Sequence, residues 1–162
     1  MKLIRTDGLT WQSPIGTLTV YEHNNSIIAI DFGTPDCMKA SDSPLLREAQ
    51  RQITDYMEGK LQKFDLPYDL SCGTAFQQKV WRALSEIPYG ETATYSDIAE
   101  RIGNTRAVRA IGMANHCNPL PIIIPCHRVI GKNGMLTGYA GGLTIKQFLL
   151  ELERKRLEGT LP

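Results

Sequence analysis

The stretch TYSDIAERIGNTRAVRAIGMA, residues 94–114, decides the fold of the second half of the chain. A capping-box pattern at its start predicts a helix over 95–102, and Gly103-Asn104 predicts a tight turn. We expect Thr105 to cap a second helix over 106–114. Two helices joined by a short glycine-containing turn are typical of a helix-turn-helix, a motif that DNA-binding proteins often use.

The second helix of this motif combines small residues with two arginines. The small residues are Ala107, Ala110, Gly112 and Ala114, and the arginines are Arg106 and Arg109. A helix of this kind can simply pack tightly against a neighbouring helix. It can equally allow a DNA backbone to approach very closely while an arginine reaches inward, and the charge pattern of the chain favours this second interpretation.

Charge is distributed unevenly along the chain. Residues 1–100 contain nine Lys and Arg but fourteen Asp and Glu, a net charge of −5, whereas residues 101–162 contain nine basic and three acidic residues, a net charge of +6. The six charged residues within 101–150 are all basic: Arg101, Arg106, Arg109, Arg128, Lys132 and Lys146. A polyanion is the natural partner of such a stretch.

The first third of the chain indicates a small α/β unit. Residues 17–22 and 26–32 are strand-like and are separated by a hairpin turn. Ser43-Pro44 then predicts the start of a helix with one apolar stripe. Because the sequence changes character near residue 70, we expect an N-terminal α/β subdomain over 1–70 and a mostly α subdomain with the helix-turn-helix over 71–162.

Bulk composition restricts the class of protein. With 42% hydrophobic and 22% charged residues, the chain is typical of a soluble globular protein. The apolar runs are too short to cross a membrane, and the first residues lack the apolar core of a signal peptide, so we expect a cytoplasmic location and no membrane partner. The four cysteines form no C-x-x-C pair, so neither a disulfide scaffold nor a metal site is expected.

The segment NPLPIIIPCHRVIG, residues 118–131, contains the candidate nucleophile. Its three isoleucines between prolines are expected to form a short buried strand that delivers Cys126 to the start of a helical turn. A helix N-terminus favours a thiolate, so Cys126 is expected to be activated, the alternative being a buried, inert cysteine. Adjacent side chains rarely point at one another, so His127 can act as the base for Cys126 only if a water bridges them or a turn brings the imidazole back towards the sulfur. The imidazole also requires a carboxylate to orient it, and the last helix provides the candidates.

Two further motifs complete a recognisable pattern. Ile124-Pro-Cys-His-Arg-Val-Ile130, followed by Gly138-Tyr-Ala-Gly-Gly142, closely resembles the active-site signature of the O6-alkylguanine-DNA alkyltransferases. The segments 95–99 and 106–112 and the pair Asn118-Pro119 extend the resemblance, which covers roughly residues 74–153. It implies that the N-terminal subdomain is ribonuclease-H-like.

The resemblance implies a role for each matching residue in the reaction. Cys126 is expected to accept the alkyl group, His127 to deprotonate it through a water, and Glu153 to orient His127. Asn118 is expected to form hydrogen bonds that join the second helix of the helix-turn-helix, the recognition helix, to the turn that carries Cys126. Tyr95 is expected to crowd the target phosphate and to hydrogen-bond the flipped guanine.

The resemblance also implies contacts with DNA and with the base. Arg109 is expected to enter the duplex and fill the gap left by the extruded base. The residues expected to bind DNA are Tyr95, Ser96, Asn104, Arg109 and Lys132. The residues expected to line the pocket for the substrate base are Val129, Tyr139 and Ala140.

The function implied is DNA repair by stoichiometric transfer of an alkyl group from O6-alkylguanine, and from O4-alkylthymine, to Cys126, which inactivates the protein. The expected partner is double-stranded DNA bound through its minor groove by a monomer, without metal or cofactor. Two alternatives remain at this stage. A non-catalytic module that recognises alkylated DNA would use the same helix-turn-helix, and a cysteine hydrolase of acyl substrates would use the same nucleophile.

Overall fold

A computed structural model describes residues 7–159, which divide into two compact units between Cys72 and Gly73. The first unit contains a mixed four-stranded sheet with one helix, and the second is mostly helical. This confirms the predicted fold class. No helix within the described range is long and apolar enough to cross a membrane.

The sheet of the first unit has the strand order β3-β2-β1-β4. Its strands are β1 (Asp7–Ser13), β2 (Gly16–His23), β3 (Ser26–Phe32) and β4 (Lys39–Ala40). β2 pairs antiparallel with β1 and β3, and β4 pairs parallel with β1. The predicted strands 17–22 and 26–32 are therefore confirmed, and the two residues between them, Asn24 and Asn25, both have positive φ, as a two-residue hairpin of this twist requires.

Helix α1 (Pro44–Met57) packs on this sheet. The Ser43 side chain accepts a hydrogen bond from the backbone N–H of Leu46, and Pro44 occupies the first turn, so the predicted helix start is confirmed. Its buried face includes Leu46, Ala49 and Ile53, which complete the core of the unit.

Within the described residues, the second unit contains four α-helices and a short turn that carries Cys126. Its elements are α2 (Ala75–Ser85), β5 (Ala93–Thr94), α3 (Tyr95–Arg101), α4 (Val108–His116), a 3₁₀ turn (Cys126–Arg128), β6 (Val129–Ile130) and α5 (Leu143–Leu157). β5 pairs parallel with β6, with Ala93 opposite Val129. This pairing places the start of α3 beside the end of the reactive turn.

The helix-turn-helix is present, with one boundary different from the expected one. The Thr94 hydroxyl accepts from the backbone N–H of Asp97, whose carboxylate accepts in return from the N–H of Thr94, so the capping box is confirmed. The second helix begins at Val108, not at residue 106, and Ala107 precedes it without a side-chain cap. The prediction that Thr105 caps this helix was wrong, because residues 105 and 106 belong to the connecting turn.

The prediction of a short strand before Cys126 was also wrong. Residues 121–124 form a tight turn in which the N–H of Ile124 donates to the carbonyl of Leu120 at 2.8 Å. Ile122 has a φ of +76°, a left-handed conformation that is strained for a β-branched residue. The prolines on both sides lack N–H donors and fit a turn better than a strand ladder. The segment is nevertheless buried throughout, as expected.

Candidate active site

Cys126 is the first residue of the 3₁₀ turn, and only 3% of its surface is exposed. Burial raises the pKa of the thiol to about 11, while a hydrogen bond from the Asn118 side chain and the charge of Lys146 act in the opposite direction. Backbone hydrogen bonds at the start of the turn lower the pKa of the thiol, as expected of a helix N-terminus, but burial outweighs them. The neutral thiol is therefore the favoured form of Cys126 in the free protein.

Asn118 holds the turn that carries this cysteine. Its side-chain N–H donates to the carbonyl of Ile124 at 2.9 Å, and its side-chain oxygen accepts from the N–H of Leu120 at 2.9 Å. The same side chain hydrogen-bonds the thiol. Asn118 thus fixes both the backbone of the turn and the environment of Cys126.

The link between helix α4 and the cysteine comes from a residue that was not predicted. Asn115 is buried, and its side-chain N–H reaches the carbonyl of Cys126 at 3.5 Å. Its sequence signal is a polar residue on the same buried helical stripe as Ile111 and Ala114. Asn118 itself lies two residues beyond the end of α4.

His127 and Glu153 form a fully buried pair, with 3.0 Å between His127 Nε2 and Glu153 Oε1. Burial lowers the pKa of His127, and the interaction with Glu153 opposes that shift. For Glu153, burial acts to raise the pKa, but hydrogen bonds from His127 and Arg128 lower it to about 2. Glu153 is therefore ionised, and its charge stabilises a proton on His127.

Arg128 was expected only to contribute positive charge, but it is mostly buried and bound to the same carboxylate. Its Nη2 donates to Glu153 Oε1 at 2.7 Å, and its Nη1 donates to the carbonyl of Ile87 at 2.6 Å. Its guanidinium lies 5.7 Å from the centre of the Tyr89 ring. Arg128 is a structural anchor of the site, and neither it nor the buried Lys146 contributes to the exposed basic surface.

The residues expected to line the base pocket occupy different environments. Val129 and Tyr139 are buried, whereas Ala140 is exposed. Tyr95, which was expected to hydrogen-bond the flipped guanine, is half-buried. The pKa of Tyr139 is raised well above its usual range by burial and by the charge of Cys126. The hydroxyl of Tyr95 lies 2.7 Å from that of Thr137.

The residues expected to bind DNA are mostly on the surface of the second unit. Ser96 lies in the first turn of α3, Asn104 in the connecting turn and Arg109 in the first turn of α4, and all three side chains are exposed. Lys132 is exposed in the loop after β6. The exposed cations of the stretch 101–150 are Arg101, Arg106, Arg109 and Lys132.

Comparison with known proteins connects both units to one family. Residues 75–155 match the model of the 6-O-methylguanine DNA methyltransferase DNA binding domain. Residues 9–70 match the model of the ribonuclease-like domain of the same protein. The chain belongs to the 6-O-methylguanine DNA methyltransferase family. The resemblance in the active-site signature is thereby confirmed, and so is the ribonuclease-like character of the first unit.

Members of the methyltransferase family resemble this chain over nearly its whole length. The methylated-DNA–protein-cysteine methyltransferase of Methanosarcina barkeri is 50% identical over 152 residues, which cover 90% of this chain and 96% of that protein. The constitutive enzyme of the same name from Bacillus subtilis is 46% identical over 155 residues, covering 90% and 93%. The crystal structure of Mycobacterium tuberculosis OGT in complex with DNA matches with a TM-score of 0.85 and 45% identity, covering 93% of this chain and 94% of that one.

Among the described residues of this methyltransferase-family chain, no group of three or more His, Cys, Asp or Glu side chains is placed to hold a metal ion. The polar groups close to the thiol are instead the amide of Asn118 and the ammonium of Lys146. The chemistry that the site offers is nucleophilic attack by sulfur.

Proposed function

We propose that this protein repairs DNA by transferring an alkyl group from O6-alkylguanine, and from O4-alkylthymine, directly to Sγ of Cys126. The observation that carries the proposal is a buried cysteine held by Asn118 and followed directly by a histidine paired with a buried carboxylate, in a chain of the methyltransferase family. Its relatives are named for transfer of a methyl group from DNA to a protein cysteine.

The burial of Cys126 supports a flipped-base mechanism. An O6-alkyl carbon lies within the base stack, so the nucleotide must be extruded before the sulfur can reach it, at a cost of a few kcal/mol. The incoming base would line the site with further donors and exclude water. Because burial raises the pKa of the thiol, attack is then coupled to removal of its proton.

In the proposed reaction, His127 accepts the thiol proton through a bridging water, and Glu153 stabilises the resulting imidazolium. The sulfur forms a bond to the alkyl carbon while the bond from that carbon to O6 breaks, and its electron pair remains on the guanine. The guanine anion then takes up one proton and is restored. No residue displaces a thioether, so each molecule reacts once.

Exposed residues of the helix-turn-helix support DNA as the partner. Arg109 would fill the gap left by the extruded base, and the small residues Ala107 and Gly112 would allow α4 to approach the minor groove closely. Ser96, Asn104, Tyr95 and Lys132 would contact the DNA without reading its sequence. We propose that the protein acts as a monomer in the cytoplasm.

The decisive experiment is the intact mass of the protein after incubation with duplex DNA that contains O6-methylguanine. We expect one methyl group per chain, located on Cys126 by peptide mapping. The variant Cys126→Ser should bind the DNA and remain unmodified, whereas the control Cys117→Ser, which replaces an exposed cysteine, should react as wild type. DNA binding without any adduct would make the chain a non-catalytic module that recognises alkylated DNA.

A further inference from the structure

Helix α4 places one buried amide side chain against the turn that carries Cys126. Asn115 is only 4% exposed, and it lies on the same buried stripe of the helix as Ile111 and Ala114. Burial of a side-chain amide costs free energy unless its donor and its acceptor are both hydrogen-bonded. An apolar residue on this stripe would avoid that cost, so the amide requires partners that offset it.

The contact with Cys126 fixes the orientation of this amide. Nδ2 of Asn115 donates to the carbonyl of Cys126 at 3.5 Å, and because a carbonyl can only accept, Oδ1 lies on the other side of the amide. Among residues 7–159, the buried Oδ1 of Asn115 has no hydrogen-bond partner. Asn118 differs, because its oxygen and its N–H both bind the backbone of the turn. Asn115 therefore retains one unused acceptor next to the residue that is proposed to receive the alkyl group.

The proposed substrate carries a donor that matches this acceptor. In O6-alkylguanine, the alkylated oxygen and the exocyclic amino group flank N1 on one edge of the purine. Alkylation of O6 leaves N1 without a hydrogen, so the amino group is the only donor on that edge. Enzymes that flip a base read it through this edge. When the alkyl carbon lies at Sγ of Cys126, the same edge faces the turn whose carbonyl binds the Asn115 amide.

We propose that Asn115 is a specificity-determining residue, whose Oδ1 accepts a hydrogen bond from the exocyclic amino group of the flipped O6-alkylguanine. The inference rests on the proposed function, because it takes Cys126 as the alkyl acceptor and a flipped base as the substrate. It favours alkylated guanine over alkylated thymine, which has no donor on the corresponding edge. A buried water is the other donor that would satisfy the same oxygen, and it would act equally on every base.

The test compares two duplexes that differ by this amino group alone. One contains O6-methylguanine and the other contains O6-methylhypoxanthine at the same position, and single-turnover rates of methyl transfer are measured on both. Asn115→Leu removes the hydrogen-bonding groups at similar size. Ile111→Leu, which alters packing one turn earlier on the same buried stripe, is the matched control. Effects on folding and on general DNA binding cancel in the ratio of the two rates.

We expect the preference for O6-methylguanine over O6-methylhypoxanthine to fall about tenfold in Asn115→Leu, as the loss of one hydrogen bond typically produces. Ile111→Leu should keep the wild-type preference, and a fall of the same size in that control would overturn the proposal, because packing alone would then explain the effect. An equal loss on both substrates in Asn115→Leu would indicate a buried water or a merely structural role, and it would overturn the proposal as well.

A second measurement requires neither a variant of Asn115 nor methyl transfer, so it covers the case in which Asn115→Leu does not fold. In Cys126→Ser bound to each duplex, the NMR signal of the Asn115 side-chain carbonyl carbon reports hydrogen bonding to Oδ1. We expect a larger downfield shift with O6-methylguanine than with O6-methylhypoxanthine, and identical shifts would overturn the proposal. If the wild type accepted no methyl group from either duplex, the proposed function would fail, whereas the NMR comparison would still decide the role of Asn115.

Discussion

Glu153 Oε1 accepts a hydrogen bond from His127 Nε2 at 3.0 Å, and both side chains are completely buried. The same carboxylate neutralises Arg128, so a single negative charge supports a base and a cation. Glu153 Oε2 also accepts a hydrogen bond from the N–H of Gly90 at 3.2 Å, which connects the segment before α3 to helix α5. Removing this charge therefore affects more than the orientation of the histidine.

We expect Glu153→Gln to destabilise the fold as well as to abolish transfer. The substitution leaves Arg128 buried without a counter-charge, and breaking a buried ion pair in this way typically costs about 3–5 kcal/mol. The free energy of unfolding from urea titration measures the effect. Glu151→Gln, which changes an exposed carboxylate of the same helix, should differ little from wild type, and a similar loss in both variants would contradict the expectation.

Acidification should destabilise the protein in two steps. The pKa of His127 is lowered in the folded state, so the unfolded chain takes up that proton first and stability falls as pH drops below about 6.5. The pKa of Glu153 is lowered to about 2 from 4.5. Its contribution to the free energy of unfolding is therefore complete above pH 4.5 and is lost as the pH falls from 4.5 to 2. Urea midpoints measured from neutral to acid pH provide the test, and a midpoint that stays constant down to pH 5 would exclude the histidine step.

Arg109→Ala should reduce repair of duplex DNA more than transfer from a free modified base. Only the duplex requires a base to be extruded, and the arginine is expected to offset part of that cost. Single-turnover rates on both substrates provide the comparison. Arg106→Ala, which changes an exposed arginine in the turn before α4, is the control for simple loss of charge. Equal losses on both substrates would mean that Arg109 does not enter the duplex.

The alkylated protein should be less stable than the free protein. Cys126 is almost completely buried against Asn118, and an added alkyl group must displace close-packed neighbours, which typically costs about 1–3 kcal/mol. A chain of this size should lose about 2–4 °C in melting temperature for each kcal/mol. Thermal melts before and after complete reaction with a free benzylated guanine measure the change. An unchanged or higher melting temperature would show that the site accommodates the adduct without strain.

The elements that carry the function were predictable because their signals are local. The capping box at Thr94, the glycine after α3 and the Pro-Cys-His-Arg signature each depend on residues close together in the sequence. The start of α4 was misplaced because a threonine that resembles a cap lies in the turn, three residues before Val108. The three isoleucines have strand propensity, but the prolines beside them and the hydrogen bonds of Asn118 impose a turn with Ile122 at positive φ.

The contacts that sequence reasoning missed join residues distant along the chain. Arg128 reaches Ile87 and Glu153, and Lys146 reaches back to Val129. Both cations were counted only as part of a basic stretch, since charge gives no indication of burial. Lys146 and Glu153 are seven residues apart, so they share the buried face of α5. That spacing is the signal from which their common orientation could have been predicted.

Because Arg128 and Lys146 are buried, they cannot bind phosphates, and this limits the number of counterions that the stretch 101–150 can release from DNA on binding. Of the six cations between residues 101 and 150, four are exposed and able to neutralise phosphates. Each such contact contributes about −0.9 to the slope of log affinity against log salt, so this stretch accounts for a slope of about −3.6 at most, in place of about −5.4 for six. If this stretch provides the phosphate contacts, we expect the affinity for DNA to fall less steeply with salt than six exposed cations would require, and binding measured over a range of salt concentrations checks this.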